Sequence, residues 1–104
     1  QDSADAWPVL IPEILMELER MEDAEPFLEP VKGIKGYSDV IKNPMDLNTI
    51  RRKLSMPGKY KDRSEVAADF DLILSNCILF NGSDPEASWI VASGLAMYRK
   101  YQEL

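Results

Sequence analysis

The sequence predicts an all-α fold, a bundle of four helices with one long structured loop between the first and second helices. Three observations carry that prediction. Apolar residues recur at alternating steps of three and four over several windows, the spacing that lays one stripe along a helix. No segment alternates apolar and polar residues as a half-buried strand does. Capping residues and Pro/Gly punctuation cut the chain into pieces of helical length.

The first stripe runs through Trp7, Leu10, Ile11, Ile14, Leu15, Leu18 and Met21. Pro8 and Pro12 lie at its start, and an interior proline loses a hydrogen bond and crowds the preceding turn. The regular helix is therefore expected to begin near Pro12, in whose first turn proline is tolerated, and to fray by Glu22-Asp23. Residues 26–44 hold Pro26, Pro30, Pro44, Gly33 and Gly36 among Phe27, Leu28, Val31, Ile34, Tyr37, Val40 and Ile41. That is a long loop with a short helical turn expected near Ser38–Ile41. Its apolar content suits packing rather than linking, and a loop of this length in a small domain is usually functional.

Asp46 caps a second helix carrying Leu47, Ile50 and Leu54, with Arg51, Arg52 and Lys53 at its end and Met56-Pro57-Gly58 as its stop. Ser64 is expected to cap the third, with Val66, Phe70, Ile73, Leu74 and Cys77 on one face. Asn81-Gly82-Ser83 breaks it. Asp84-Pro85-Glu86 has the form of an N-cap, a first-position proline and an acidic first turn. The fourth helix then carries Trp89, Ile90, Val91, Leu95, Tyr98 and Tyr101.

Composition excludes much chemistry. The 104 residues include no His and one Cys, so there is no His–Cys zinc site, no Ser–His or Cys–His dyad and no disulfide framework. Cys77, inside an apolar run, has the setting of a small buried hydrophobe. With 45% hydrophobic and 29% charged residues the composition is that of a globular domain large enough to bury its own core. No apolar stretch approaches the roughly 20 residues that span a bilayer, and no membrane association is expected. The chain opens on Gln1 rather than Met, as expected of a single module, residues 1–104, cut from a longer protein.

The net charge of −6 is unevenly placed: −8 over residues 1–30, +6 over 31–63 and −4 over 64–104. The basic middle could meet phosphates, but the acidic flanks oppose a duplex-binding surface, so direct nucleic-acid binding is not expected. Solvated helix faces account for the same pattern.

Asn81 has two readings. It is a suitable helix C-cap, because Asn tolerates the left-handed conformation. It is also an amide with donor and acceptor at a helix end, set against an apolar loop, and suits a guest that is mostly hydrocarbon with one polar handle.

Pro26-Phe27, Pro30-Val31, Tyr37, Val40-Ile41, Asn43-Pro44-Met45-Asp46-Leu47, Thr49-Ile50, Leu54 and Asn76-Cys77-Ile78-Leu79-Phe80-Asn81 resemble a bromodomain. The Pro-Met-Asp-Leu element with a downstream Asn-Cys-x-x-Phe-Asn is specific, and the likeness extends from Pro26 to Asn81 with compatible helices on either side. The resemblance implies a left-handed four-helix bundle whose loops form an acetyl-lysine pocket. It implies that Asn81 hydrogen-bonds the acetyl carbonyl and that Tyr37 reaches it through a water. Pro26 and Phe27 match the last two residues of the family's Trp-Pro-Phe shelf, Val31 a pocket valine, and Phe80 the aromatic before the asparagine. Ile34 and Cys77 are expected to line the same pocket. The residue at the start of the fourth helix that guards the pocket is Ala87 or Ser88 by spacing, with Trp89 beside both. Glu25 stands where the family often has the shelf tryptophan, and the stretch Val31–Tyr37 is shorter than in many members. The implied function is non-catalytic, with no cofactor or metal: recognition of an acetylated histone or other protein tail by a monomeric module in the nucleus. A helical scaffold that keeps the fold without useful acetyl-lysine binding is the alternative.

Overall fold

The computed structural model describes residues 6–104. It comprises helix α1 (Trp7–Glu19), a 3-10 helix (Glu22–Phe27), and helices α2 (Tyr37–Val40), α3 (Leu47–Leu54), α4 (Arg63–Asn81) and α5 (Trp89–Glu103), with no strand among the described residues. The all-α expectation is met. Helices α1, α3, α4 and α5 are the bundle, and α2 is the turn inside the long loop, one residue earlier than the spacing suggested.

Helix α1 starts at Trp7, not near Pro12. Pro8 falls in the first turn, where a missing N–H costs nothing, and Val9 and Leu10 both donate to the Ala6 carbonyl at 3.0 and 3.1 Å. Pro12 lies inside the helix. An interior proline costs about 3 kcal/mol or more, whereas each fully buried aliphatic side chain contributes about 1.5–3 kcal/mol. Ile11, Leu15 and Leu18 are all wholly buried, so burial wins and the helix carries its proline. Past Glu19 the chain does not simply fray. It forms the 3-10 helix, which buries Ala24 and Phe27 against α5.

The caps divide the same way. Asp46 is the N-cap of α3 as expected: one carboxylate oxygen accepts from the Thr49 N–H at 2.9 Å and the other from the Thr49 hydroxyl at 2.6 Å. Helix α4 is capped by Asp62 rather than Ser64; Ser64 instead donates its hydroxyl to the Asp62 carboxylate at 2.5 Å, helping to hold it below the usual carboxylate range. Asp84-Pro85-Glu86 does not open the fourth long helix. The Asp84 carboxylate accepts from the Glu86 N–H at 2.9 Å, its carbonyl takes the Ala87 and Ser88 N–H groups, and this separate turn ends before Ser88 caps α5.

One apolar core joins all four bundle helices, with Ile11, Leu15, Leu18, Leu47, Ile50, Val66 and Val91 fully buried. Tyr101 stacks on Phe70 with ring centroids 4.2 Å apart, and Trp7 packs at the core's edge, as their spacing suggested. At the α1–α3 contact Arg51 makes a two-pronged bond to Glu19, at 2.8 and 3.2 Å. Buried Asn76 donates from its amide to the Asn43 carbonyl at 2.8 Å, fastening the end of the long loop to α4. Replacing Asn76 by Ala strands that carbonyl. We expect Asn76→Ala to lower stability by about 1–3 kcal/mol, read as a reduced midpoint in urea with an unchanged slope.

Candidate functional site

The loop after the 3-10 helix is fastened at two points. Near its start the Leu28 carbonyl accepts from the Asn48 N–H at 3.0 Å, and near its end Asn43 is held by Asn76. Between the fastenings, Gly36 adopts a positive φ of 83° that lets the chain turn directly into α2, so that Tyr37 faces α4. The Tyr37 ring meets Phe80 edge-on, centroids 5.0 Å apart at 64°. Loop, α2, α4 and the start of α5 thereby enclose a cavity of about 200 Å³.

Eight residues singled out from the sequence line this one cavity: Pro26, Phe27, Val31, Ile34, Tyr37, Cys77, Phe80 and Asn81. Three do not. Ala87 is exposed in the Asp84 turn, the Ser88 hydroxyl caps α5 by accepting from the Val91 N–H at 3.3 Å, and Trp89 is 69% exposed. The residue of α5 that enters the wall is Ile90. Counting from Asn81 fails because the Asp84 turn consumes residues expected in the helix. Taking Ser88 as the cap would have set the register.

Met45, Ile73 and Glu29 also line the cavity. Ile73 was legible in principle, since Ile73, Cys77 and Asn81 are four residues apart and share a face of α4. Met45 precedes the Asp46 cap and is carried in by it. Glu29 left no sequence signal.

Asn81 is the last residue of α4, with helical backbone; the positive φ that ends the helix belongs to Gly82, at 89°. The C-cap reading of Asn81 thus passes to Gly82, and the Asn81 side chain is available. Its amide nitrogen donates to the Cys77 carbonyl at 3.0 Å and lies 3.9 Å from the Cys77 sulfur. The sulfur contact is weak, so an amide with two N–H donors and a carbonyl still has capacity for a guest. Burial pushes the Cys77 thiol up, the Asn81 bond opposing this in part, and the thiol donates to the Ile90 carbonyl at 3.7 Å. Burial, with the Cys77 and Asp46 charges adding, pushes the Tyr37 phenol up as well. Tyr37 therefore remains a protonated donor throughout the neutral range. Among the described residues no group of His, Cys, Asp and Glu is placed to hold a metal ion.

Set beside known proteins, residues 11–93 match the Bromodomain family profile. The chain belongs to the bromodomain family. Bromodomain adjacent to zinc finger domain protein 2A of Xenopus laevis is 48% identical over 90 residues, covering 85% of this chain and 5% of that protein. Bromodomain-containing factor 1 of Saccharomyces cerevisiae is 39% identical over 88 residues, 81% of this chain and 13% of that protein. Transcription initiation factor TFIID subunit 1 of Drosophila melanogaster is 38% identical over 85 residues, 80% of this chain and 4% of that protein. This bromodomain thus spans a small fraction of each relative's length. The family's general role is to read acetyl-lysine.

One buried glycine sets how tightly this bromodomain's cavity closes. A Cβ on Gly94 of α5 would stand 3.2 Å from the Phe27 ring and 3.4 Å from the Cys77 sulfur, both cavity-lining groups. Ala is favoured over Gly inside a helix by about 1 kcal/mol, which offsets much of the crowding if Phe27 can yield. Because Phe27 and Cys77 both line the cavity, any shift they make alters its wall. Gly94→Ala is therefore expected to shift stability by less than about 1 kcal/mol while weakening binding of a cavity ligand several-fold, measured by thermal melts beside calorimetry.

Proposed function

We propose that this module recognises acetylated lysine on a histone or other protein tail, without catalysis, in the nucleus and as a monomer. The observation that carries the reading is that Asn81 and Tyr37 line one cavity whose other walls, Glu29 apart, are apolar or weakly polar, among them Phe27, Val31, Ile34, Ile73, Phe80 and Ile90. In this reading Asn81 donates to the acetyl carbonyl, exchanging its weak contact with the Cys77 sulfur for a good acceptor, and Tyr37 reaches the same oxygen through a water.

Discrimination follows from desolvation. An unmodified lysine ammonium is compact and strongly hydrated, and an apolar slot gives it nothing in exchange for its water. Acetylation removes the charge and leaves methylenes, a methyl group and one amide, which match apolar walls and a single amide donor. A neutral hydrogen bond contributes only about 0.5–1.5 kcal/mol net, so hydrocarbon burial supplies much of the affinity. Glu25, where the family often has the shelf tryptophan, is exposed and does not line the cavity, so that wall lacks a stacking surface. Modest affinity, with flanking peptide contacts adding to it, is expected.

The test is Asn81→Ala, titrated by calorimetry against acetylated and unmodified versions of one histone-tail peptide. The side chain is exposed and its one strong bond is to the Cys77 carbonyl of the same helix, so the fold should be retained. Losing the donor should cost about 1–3 kcal/mol, a weakening of about five- to 150-fold for the acetylated peptide. Undiminished binding by the variant would reject the site, and wild-type binding blind to acetylation would favour the scaffold reading.

A further inference from the structure

Glu29 is the single formally charged residue among those lining the cavity. Its side chain is exposed at the mouth and makes no hydrogen bond or ion pair among the described residues, unlike the paired carboxylates of Glu17, Glu19 and Asp69. Lys32 and Lys35 share its loop, but neither lines the cavity nor pairs with it. A carboxylate beside an apolar wall is less well screened than one in open solvent, and a cation brought next to it gains accordingly. The acetylated side chain cannot be that cation, since acetylation has made it neutral. The complementary charge must come from elsewhere on the guest peptide. In an extended peptide each residue advances about 3.3 Å, which leaves a long basic side chain one or two positions away within reach of the mouth.

We propose that Glu29 is a specificity-determining residue that selects acetylated peptides bearing Arg or Lys within two residues of the acetyl-lysine. The proposal rests on the reading of the cavity as an acetyl-lysine site. It assigns Glu29 no part in holding the acetyl group itself, so the contributions of Asn81 and Glu29 are separable.

The probes are Gly/Ser-based synthetic peptides with one central acetyl-lysine, carrying either Arg or its neutral isostere citrulline at the two positions on each side. Each is titrated by calorimetry against wild type and Glu29→Gln, with the unacetylated Arg peptide as the third probe. The wild-type protein should bind the Arg peptide about two- to fivefold more tightly than the citrulline peptide, and added salt should shrink the difference. In Glu29→Gln the preference for the Arg peptide over the citrulline peptide should disappear. A preference that survives in Glu29→Gln, or none in wild type, overturns the role of Glu29 and leaves the acetyl-lysine reading standing. Equal binding of acetylated and unacetylated Arg peptides by wild type overturns both.

Discussion

The site depends on one buried amide. Asn76 is almost wholly inaccessible to water, and its bond to the Asn43 carbonyl is what joins the long loop to α4. Loop residues 26–44 contain three prolines and two glycines, so they make few backbone bonds of their own and form no ladder with a neighbour. A segment of that kind holds a shape only when its ends are tied. Asn76 ties one end and the Asn48–Leu28 bond the other, and the buried Asp46 cap keeps α3 starting where both ties need it. With the ends fixed, Tyr37 rests against Phe80, and loop and helix can hold a space open between them.

That space is maintained by what lies around it as much as by what lines it. Phe27 is pressed toward α5 at the one position, Gly94, where a side chain would push it back. The Cys77 thiol bonds to the Ile90 carbonyl and so joins α4 to the first turn of α5. The polar groups facing inward are few and uncharged except for Glu29. In the proposed acetyl-lysine reading, these walls would reject a hydrated cation and accept a neutral amide on a hydrocarbon stem, a selection that needs no proton transfer. The absence of histidine from the chain agrees with a site of that kind.

Much of this was legible in the sequence, for reasons that differ from residue to residue. The stripe along α1 and the Asp46 cap follow from local rules, and the packing honoured both. Pro26, Phe27, Val31, Tyr37, Phe80 and Asn81 were reached through the resemblance to the bromodomain family, which carries the loop's return to α4 in a way that helical periodicity does not. The failures share a cause. Pro12 marks a helix start only when burial is ignored, and three buried aliphatic residues outweigh it. Asp84-Pro85 has the form of a cap because an isolated turn and a helix begin with the same carboxylate-to-amide bond. That ambiguity displaced the expected α5 residues to Ala87, Ser88 and Trp89 and hid Ile90. Glu29 was invisible because an exposed glutamate in a loop differs from its neighbours only in where the fold puts it.

The most direct measurement of the central claim is a heteronuclear NMR titration of the isotope-labelled domain with one peptide in acetylated and unmodified forms. The acetylated peptide should move the Asn81 side-chain amide and the methyl signals of Val31, Ile34, Ile73 and Ile90, while the unmodified peptide at the same concentration leaves them in place. Equal shifts from both peptides would contradict the account. So would acetyl-dependent shifts centred on the groove of Leu10, Met16 and Leu104 between α1 and the end of α5.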